Sequence, residues 1–224
     1  MQRKILLISF LAVFLTVLYS CGKKEDVVPE YDEYPYGDTD VSTIQMNGSP
    51  VITLCQDTCN RVIRQAKGMQ VTKLGSYLII NGGGEIVLGC KNSLDISMSG
   101  GVVRNLDAPV RMKQLSISGQ NGKVYLNKMT VDSSISAGIS NNGDWYIAGA
   151  TAYLTVSTTA HATFLGFDLK ADSCVVSHNG LSDIQVNVSQ KLTGGLYSLG
   201  NLFYKGYPPV VNIIKTGAGS VNEQ

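Results

Sequence analysis

The sequence predicts an all-β fold: a single-stranded β-helix, or solenoid, of about 18–21 residues per turn, preceded by an N-terminal hairpin. Three observations carry this. Between Leu94 and Gly219 the chain seven times runs a short apolar strand into a serine or threonine and then a glycine- or asparagine-rich corner. The markers are Ser97, Ser118, Ser136, Ser157, Ser177, Ser198 and Thr216, at steps of 21, 18, 21, 20, 21 and 18 residues. Composition agrees with an all-β domain, with 24 Gly, 11 Tyr, only 16% charged residues and no long run at helical spacing.

Residues 1–20 read as a lipoprotein signal peptide. Arg3 and Lys4 precede an almost wholly apolar run from Ile5 to Tyr19, and Leu18-Tyr19-Ser20-Cys21 matches the box in which a small residue precedes a cysteine to be acylated. Fifteen apolar residues are short of the ~20 that a spanning helix needs, which favours a cleaved signal over a transmembrane anchor. Lipid chains on Cys21 would hold the protein stably to a membrane, since one chain alone binds only marginally. The expected location is the outer membrane, with exposure on the cell surface left open. Cleavage removes Arg3 and Lys4 and turns the formal charge of +1 into −1, so no basic field for nucleic acid is left.

Residues 21–40 read as an acidic tether. Seven of the seventeen acids fall between Gly22 and Asp40, interrupted by Pro29 and Pro35, and such a stretch buries little. Lys23-Lys24-Glu25-Asp26 reads either as a charged surface-export signal or as ordinary tether filling. Tyr31, Tyr34 and Tyr36 are expected to pack against the first coil.

Residues 41–224 form the expected solenoid domain. At its start Val51-Ile52-Thr53-Leu54 and Arg61-Val62-Ile63 flank Cys55-Gln56-Asp57-Thr58-Cys59 and read as a hairpin, which would set Cys55 opposite Cys59 at disulfide distance. A metal site is the weaker reading there, because no histidine stands nearby. Cys90 and Cys174 lie about four turns apart, roughly 19 Å at ~4.8 Å per layer, too far to join each other.

In the repeated turns, side chains two apart share a strand face. Ile96, Ile117, Ile135, Val156 and Val176 are therefore expected to stack as one core column, and Leu94, Leu115, Ser133, Leu154 and Cys174 as a second. A further strand follows most corners, as in Val124-Tyr125-Leu126, Trp145-Tyr146-Ile147 and Leu202-Phe203-Tyr204, so every turn has at least two sides. The corners are rich in glycine and asparagine, which accept the positive φ of sharp bends.

Two later segments resemble a known family. The stretch Phe167 to Ser177, and the ending that runs from Lys191-Leu192 through Leu199 to Val210 and closes with Thr216 to Val221, are similar to the putative auto-transporter adhesin, head GIN domain, family. The resemblance covers about residues 41 to 221 and is strongest after Phe167. The corners at Ser157 to Ala160 and Ser177 to Gly180 depart from the family pattern by lacking paired glycines. The resemblance implies a single β-helical domain, common in exported proteins of Bacteroidetes-type bacteria, with no catalytic residues to carry over.

Little in the chain points to chemistry. His161 and His178, the only histidines, could approach one another on adjacent turns or be solvated corner residues, the second being favoured. Asp144, Asp168, Asp172 and Asp183 share no column, so the close carboxylate pair of a glycosidase is not visible. The expectation is therefore no catalytic residue, no metal and no cofactor. Three readings follow: an adhesion or ligand-binding module for glycan or protein, an envelope assembly component, or, less favoured, a polysaccharide lyase or hydrolase. Tyr125, Trp145, Tyr146, Phe203 and Tyr204, recurring in the second strands, are the candidate binding-face aromatics if they share an outer flank.

Overall fold

The computed structural model describes residues 31–32, 40–106 and 108–224. The leader, Cys21, Tyr34, Tyr36 and most of the tether lie outside the described residues. Among those residues there are fifteen strands and no helix. The first five are β1 (Tyr31–Asp32), β2 (Thr43–Gln56), β3 (Arg61–Ala66), β4 (Gln70–Leu74) and β5 (Tyr77–Cys90). The repeated turns supply β6 (Ser93–Met98), β7 (Val102–Asn105), β8 (Val110–Gln120), β9 (Lys123–Ser140), β10 (Asp144–Ala160) and β11 (Thr163–Gly180). The chain finishes with β12 (Ile184–Leu196), β13 (Leu202–Lys205), β14 (Val210–Lys215) and β15 (Val221–Glu223).

From β5 through β2 and β6 to β15 every pairing is parallel, which gives a β-solenoid of about six turns. Each full turn has three faces. Face A holds runs such as Val124–Leu126 and Trp145–Ile147, face B short runs such as Met129–Val131, and face C long runs such as Ser134–Ser140. Register breaks separate B from C in successive turns, between Met112 and Gln114, Thr151 and Tyr153, and Ala171 and Ser173. Such bulges bend a strand without ending it.

The core is a set of vertical columns. On face C, Leu94, Leu115, Ile135, Leu154, Cys174, Leu192 and Val211 stack in register. Beside them run Ile96, Ile117, Ala137, Val156, Val176, Gly194 and Ile213. Face A contributes Ile52, Val103, Val124, Trp145, Phe164, Ile184 and Leu202. Burying each large aliphatic side chain stabilises the fold by about 1.5–3 kcal/mol relative to exposure, and only stacking the next layer achieves it.

The third turn corrects the expected columns. Ile135 belongs with the leucines, Ala137 takes the place assigned to it, and Ser133 is exposed. Gly138, not Ser136, is the partner of Ser118 and Ser157. A slip of two residues keeps the inside–outside alternation intact, so periodicity alone does not detect it. The same holds at the end of the chain, where Gly195 and Ile214 occupy the marker column and Ser198 and Thr216 fall in the corners beyond.

The N-terminal hairpin is β4–β5, closed at Leu74↔Tyr77. The strands expected to pair do not. β2 lies parallel to β5 along fourteen register pairs, and β3 runs antiparallel on the far side of β5. Residues 57–60 therefore cross β5 rather than turn back. Asp57 shapes the crossing: its carboxylate accepts from Thr58 N at 2.6 Å and pairs with Arg61 at 2.8 Å. Buried Asn60 then ties the region together, donating to the carbonyls of Val41 and Ser93 and accepting from the amides of Lys91 and Asn92, all at 2.8–3.0 Å.

That crossing removes the geometric basis for a Cys55–Cys59 bridge. Cys55 faces Gly89 instead, its thiol donates to the Leu88 carbonyl, and Cys55, Cys59, Cys90 and Cys174 are all free thiols. Cys90 and Cys174 are buried, and desolvation pushes each thiol up to about 12. Cys174 packs between Leu154 and Leu192 as a small hydrophobe.

Candidate functional site

Face A carries the sequence-predicted aromatics, and the alternation of a strand sorts them. Outward-pointing Thr53, Arg104, Tyr125, Tyr146, Leu165, Gln185 and Phe203 occupy consecutive layers of one column. Tyr125 is 43% exposed and Leu165 38%, while Tyr146 and Phe203 are half-buried. Three of the five candidates thus share one outer flank at a layer spacing of about 4.8 Å. The other two do not. Trp145 is only 1% exposed, stacked between Val124 and Phe164 with its Nε1 donating to the Gly122 carbonyl at 3.2 Å. Tyr204 stands in the inward column above Val186 and packs against the core, its hydroxyl reaching Glu223. Both sit one residue from an outward aromatic, and one residue is enough to reverse the face.

Neighbouring polar groups hold the stripe. The Tyr146 hydroxyl donates to Asp168 at 3.1 Å, and burial together with that carboxylate raises the phenol above its ordinary value. At the N-terminal end of the column Arg104 pairs with Glu85 at 2.9 Å and donates to Thr53. Burial alone would raise Glu85, but the hydrogen bonds from Thr53, Arg104 and Tyr31 outweigh it and hold the carboxyl below the usual range. Tyr31, placed by the pairing of β1 with β3, also lies under the Arg64 guanidinium, as the expected packing against the first coil requires.

Away from that flank, a groove of about 430 Å³ crosses five layers of face C. Gln45, Asn47, Ser97, Ser118, Gln120 and Thr159 are among the residues that line it, all hydroxyl or amide side chains.

The titratable candidates are scattered. Asp168 sits beyond face A against Tyr146, Asp172 bonds Ser189 at the corner between B and C, and Asp183 accepts from Asn201 at the corner leading into A. Among the described residues no three His, Cys, Asp or Glu side chains are placed to hold a metal ion. His161 is exposed, but His178 corrects the corner reading, being 0% exposed with its Nδ1 hydrogen-bonded to Thr158. Its column, Ile139, Thr158, His178 and Leu196, points inward, and nothing in a single polar residue beside a corner announces that.

The family model described as putative auto-transporter adhesin, head GIN domain, matches residues 62–208. The chain belongs to this family. The fold of the GIN domain is shared by a putative adhesin from Bacteroides fragilis, with 17% identity over 88% of this chain and 96% of that one and a TM-score of 0.72. A putative lipid binding protein from Parabacteroides distasonis matches at 18% identity over 89% and 98%, with a TM-score of 0.63. A putative adhesin from Parabacteroides merdae matches at 16% over 88% and 95%, with a TM-score of 0.60. At such identities the likeness is one of fold. No curated protein matches the chain. By its family the chain is an adhesin-like module, and that family points to the cell envelope or surface.

Proposed function

We propose that this GIN domain is the binding head of an outer-membrane lipoprotein, anchored through acylated Cys21, and that it recognises neutral glycan by stacking sugar rings on the outer column of face A. The observation that carries the reading is the column of Tyr125, Tyr146 and Phe203, with Leu165 and Gln185 in the two layers between the last two, presented outward in register. Aromatic faces favour the apolar face of a sugar ring, and Arg104 and Gln185 within the column, with Asp168 beside it, supply hydrogen bonds. A binding flank along a solenoid is the common use of this architecture.

Two experiments test it. On an array of neutral host and dietary glycans the protein is expected to retain a subset, and Tyr125→Ala with Tyr146→Ala to weaken that binding at least tenfold, about 1.4 kcal/mol. Binding that survives the double substitution sinks the stacking site. For the anchor, Cys21→Ala is expected to release the protein from membranes; unchanged fractionation rejects the lipoprotein assignment.

A further inference from the structure

We propose that the C-terminal end of the solenoid is a two-fold interface, in which β14 pairs antiparallel with β14 of a second copy of this chain. β14 bonds β12 along one edge, and among the described residues no strand pairs with its other edge. Its inward residues belong to the core columns. Val211 lies directly above fully buried Leu192 yet is 42% exposed, no further layer covering it among the described residues. Val210 and Ile214 are also exposed, Ile214 at 62%, with Tyr207 at 77% just before the strand. An open edge of aliphatic residues is a template for another strand.

The sequence of the strand names the occupant. Val210-Val211-Asn212-Ile213-Ile214 reads the same in character from either end about Asn212. In an antiparallel pair centred on Asn212, inward Val211 comes opposite inward Ile213 of the second copy. Outward Val210 comes opposite outward Ile214, and the two Asn212 side chains meet on the axis. Side chains directly opposite across such a pair lie on the same face, so every apolar group meets an apolar group. Lys215 comes opposite Pro209, and no like charges face each other. A rotation axis normal to face C makes the sheet continuous and buries the exposed rung of both copies. A head-to-tail contact would instead set the aliphatic edge of β14 against β3 and β4, whose Arg61, Arg64 and Lys73 offer no matching apolar row. The contact is therefore isologous and closes as a dimer.

The test uses the whole chain expressed in cells that process its leader. Directly opposed residues of an antiparallel pair have Cα atoms ~4.5–5.5 Å apart, inside the range a disulfide spans. Under a mild oxidant Asn212→Cys is expected to give a covalent dimer absent from wild type and from Asn222→Cys, which sits on the end strand of face A. Asn212→Asp places two carboxylates on the axis and is expected to halve the mass measured by light scattering of detergent-extracted protein. Asn212 is exposed within the single chain, so the far-UV circular dichroism of the variant should match wild type, while its melt loses the concentration dependence of a dimer. A single-chain mass for wild type with no 212–212 cross-link overturns the proposal. So does a cross-link from position 212 to a different protein, or a doubled mass that Asn212→Asp leaves intact.

Discussion

At the scale of single residues, the polar side chains inside the stack decide how the fold responds to its surroundings. His178 is the clearest case. Burial holds its imidazole below the ordinary value, outweighing the Ser182 carbonyl and the Asp183 carboxylate, which act to raise it. A group less basic in the folded than in the unfolded chain leaves stability intact above the unfolded pKa, ~6.5, and erodes it as pH falls below that toward the folded value. Between pH 7.5 and pH 5 the urea midpoint is therefore expected to drop, and His178→Gln to remove that slope. An unchanged slope in the variant assigns it elsewhere. This residue was hidden in the sequence because Ser177-His178-Asn179-Gly180 reads as a polar corner, and only the register Thr158↔His178↔Leu196 turns it inward. Asn60 was hidden for a similar reason, since its four hydrogen bonds join segments up to 33 residues apart.

Strands and corners form the next scale, and here much could be read in advance. The leucine and isoleucine columns, the second strands and the burial of Cys174 all follow from alternation repeated at a near-constant period. What alternation misses is a slip that preserves parity, as in the third turn, where Ile135 stands in the leucine column and Ala137 takes the place expected for it. Corners carry a different constraint. Gly149 lies in the inward column between Met129 and Leu169 at φ +134, and a Cβ there would come within 1.8 Å of the Met129 carbonyl oxygen. Gly149→Ala is expected to cost roughly 3 kcal/mol, combining a φ closed to L side chains with overpacking. Chemical denaturation measures it, and a loss under about 1 kcal/mol would show that the bulge relaxes. The aromatic ladder was half legible on the same grounds. Tyr125, Tyr146 and Phe203 lie on one flank, while Trp145 and Tyr204, each adjacent in sequence to one of them, point inward.

For the molecule as a whole, the two ends differ. One is closed by β3 and β4, the other leaves Val211 and Ile213 as an uncovered rung. Between them nine parallel strands of face C stack to a length of roughly 38 Å at ~4.8 Å per layer. The order of the first layers was not legible, because β5 follows β2 in the chain yet lies outside it in the stack, with β2 held between β5 and β6–β7. That sandwiching has a mechanical consequence. Tension applied at Thr43 along the strand axis would have to slide β2 past β5 through fourteen residue pairs and past β6 and β7 at once, rather than unzip it one bond at a time. Pulling a chain tethered by its N-terminal side against one held across β14 and β15 should register a markedly higher first rupture force in the former. A strand clamped along both edges is where this fold would hold longest under load.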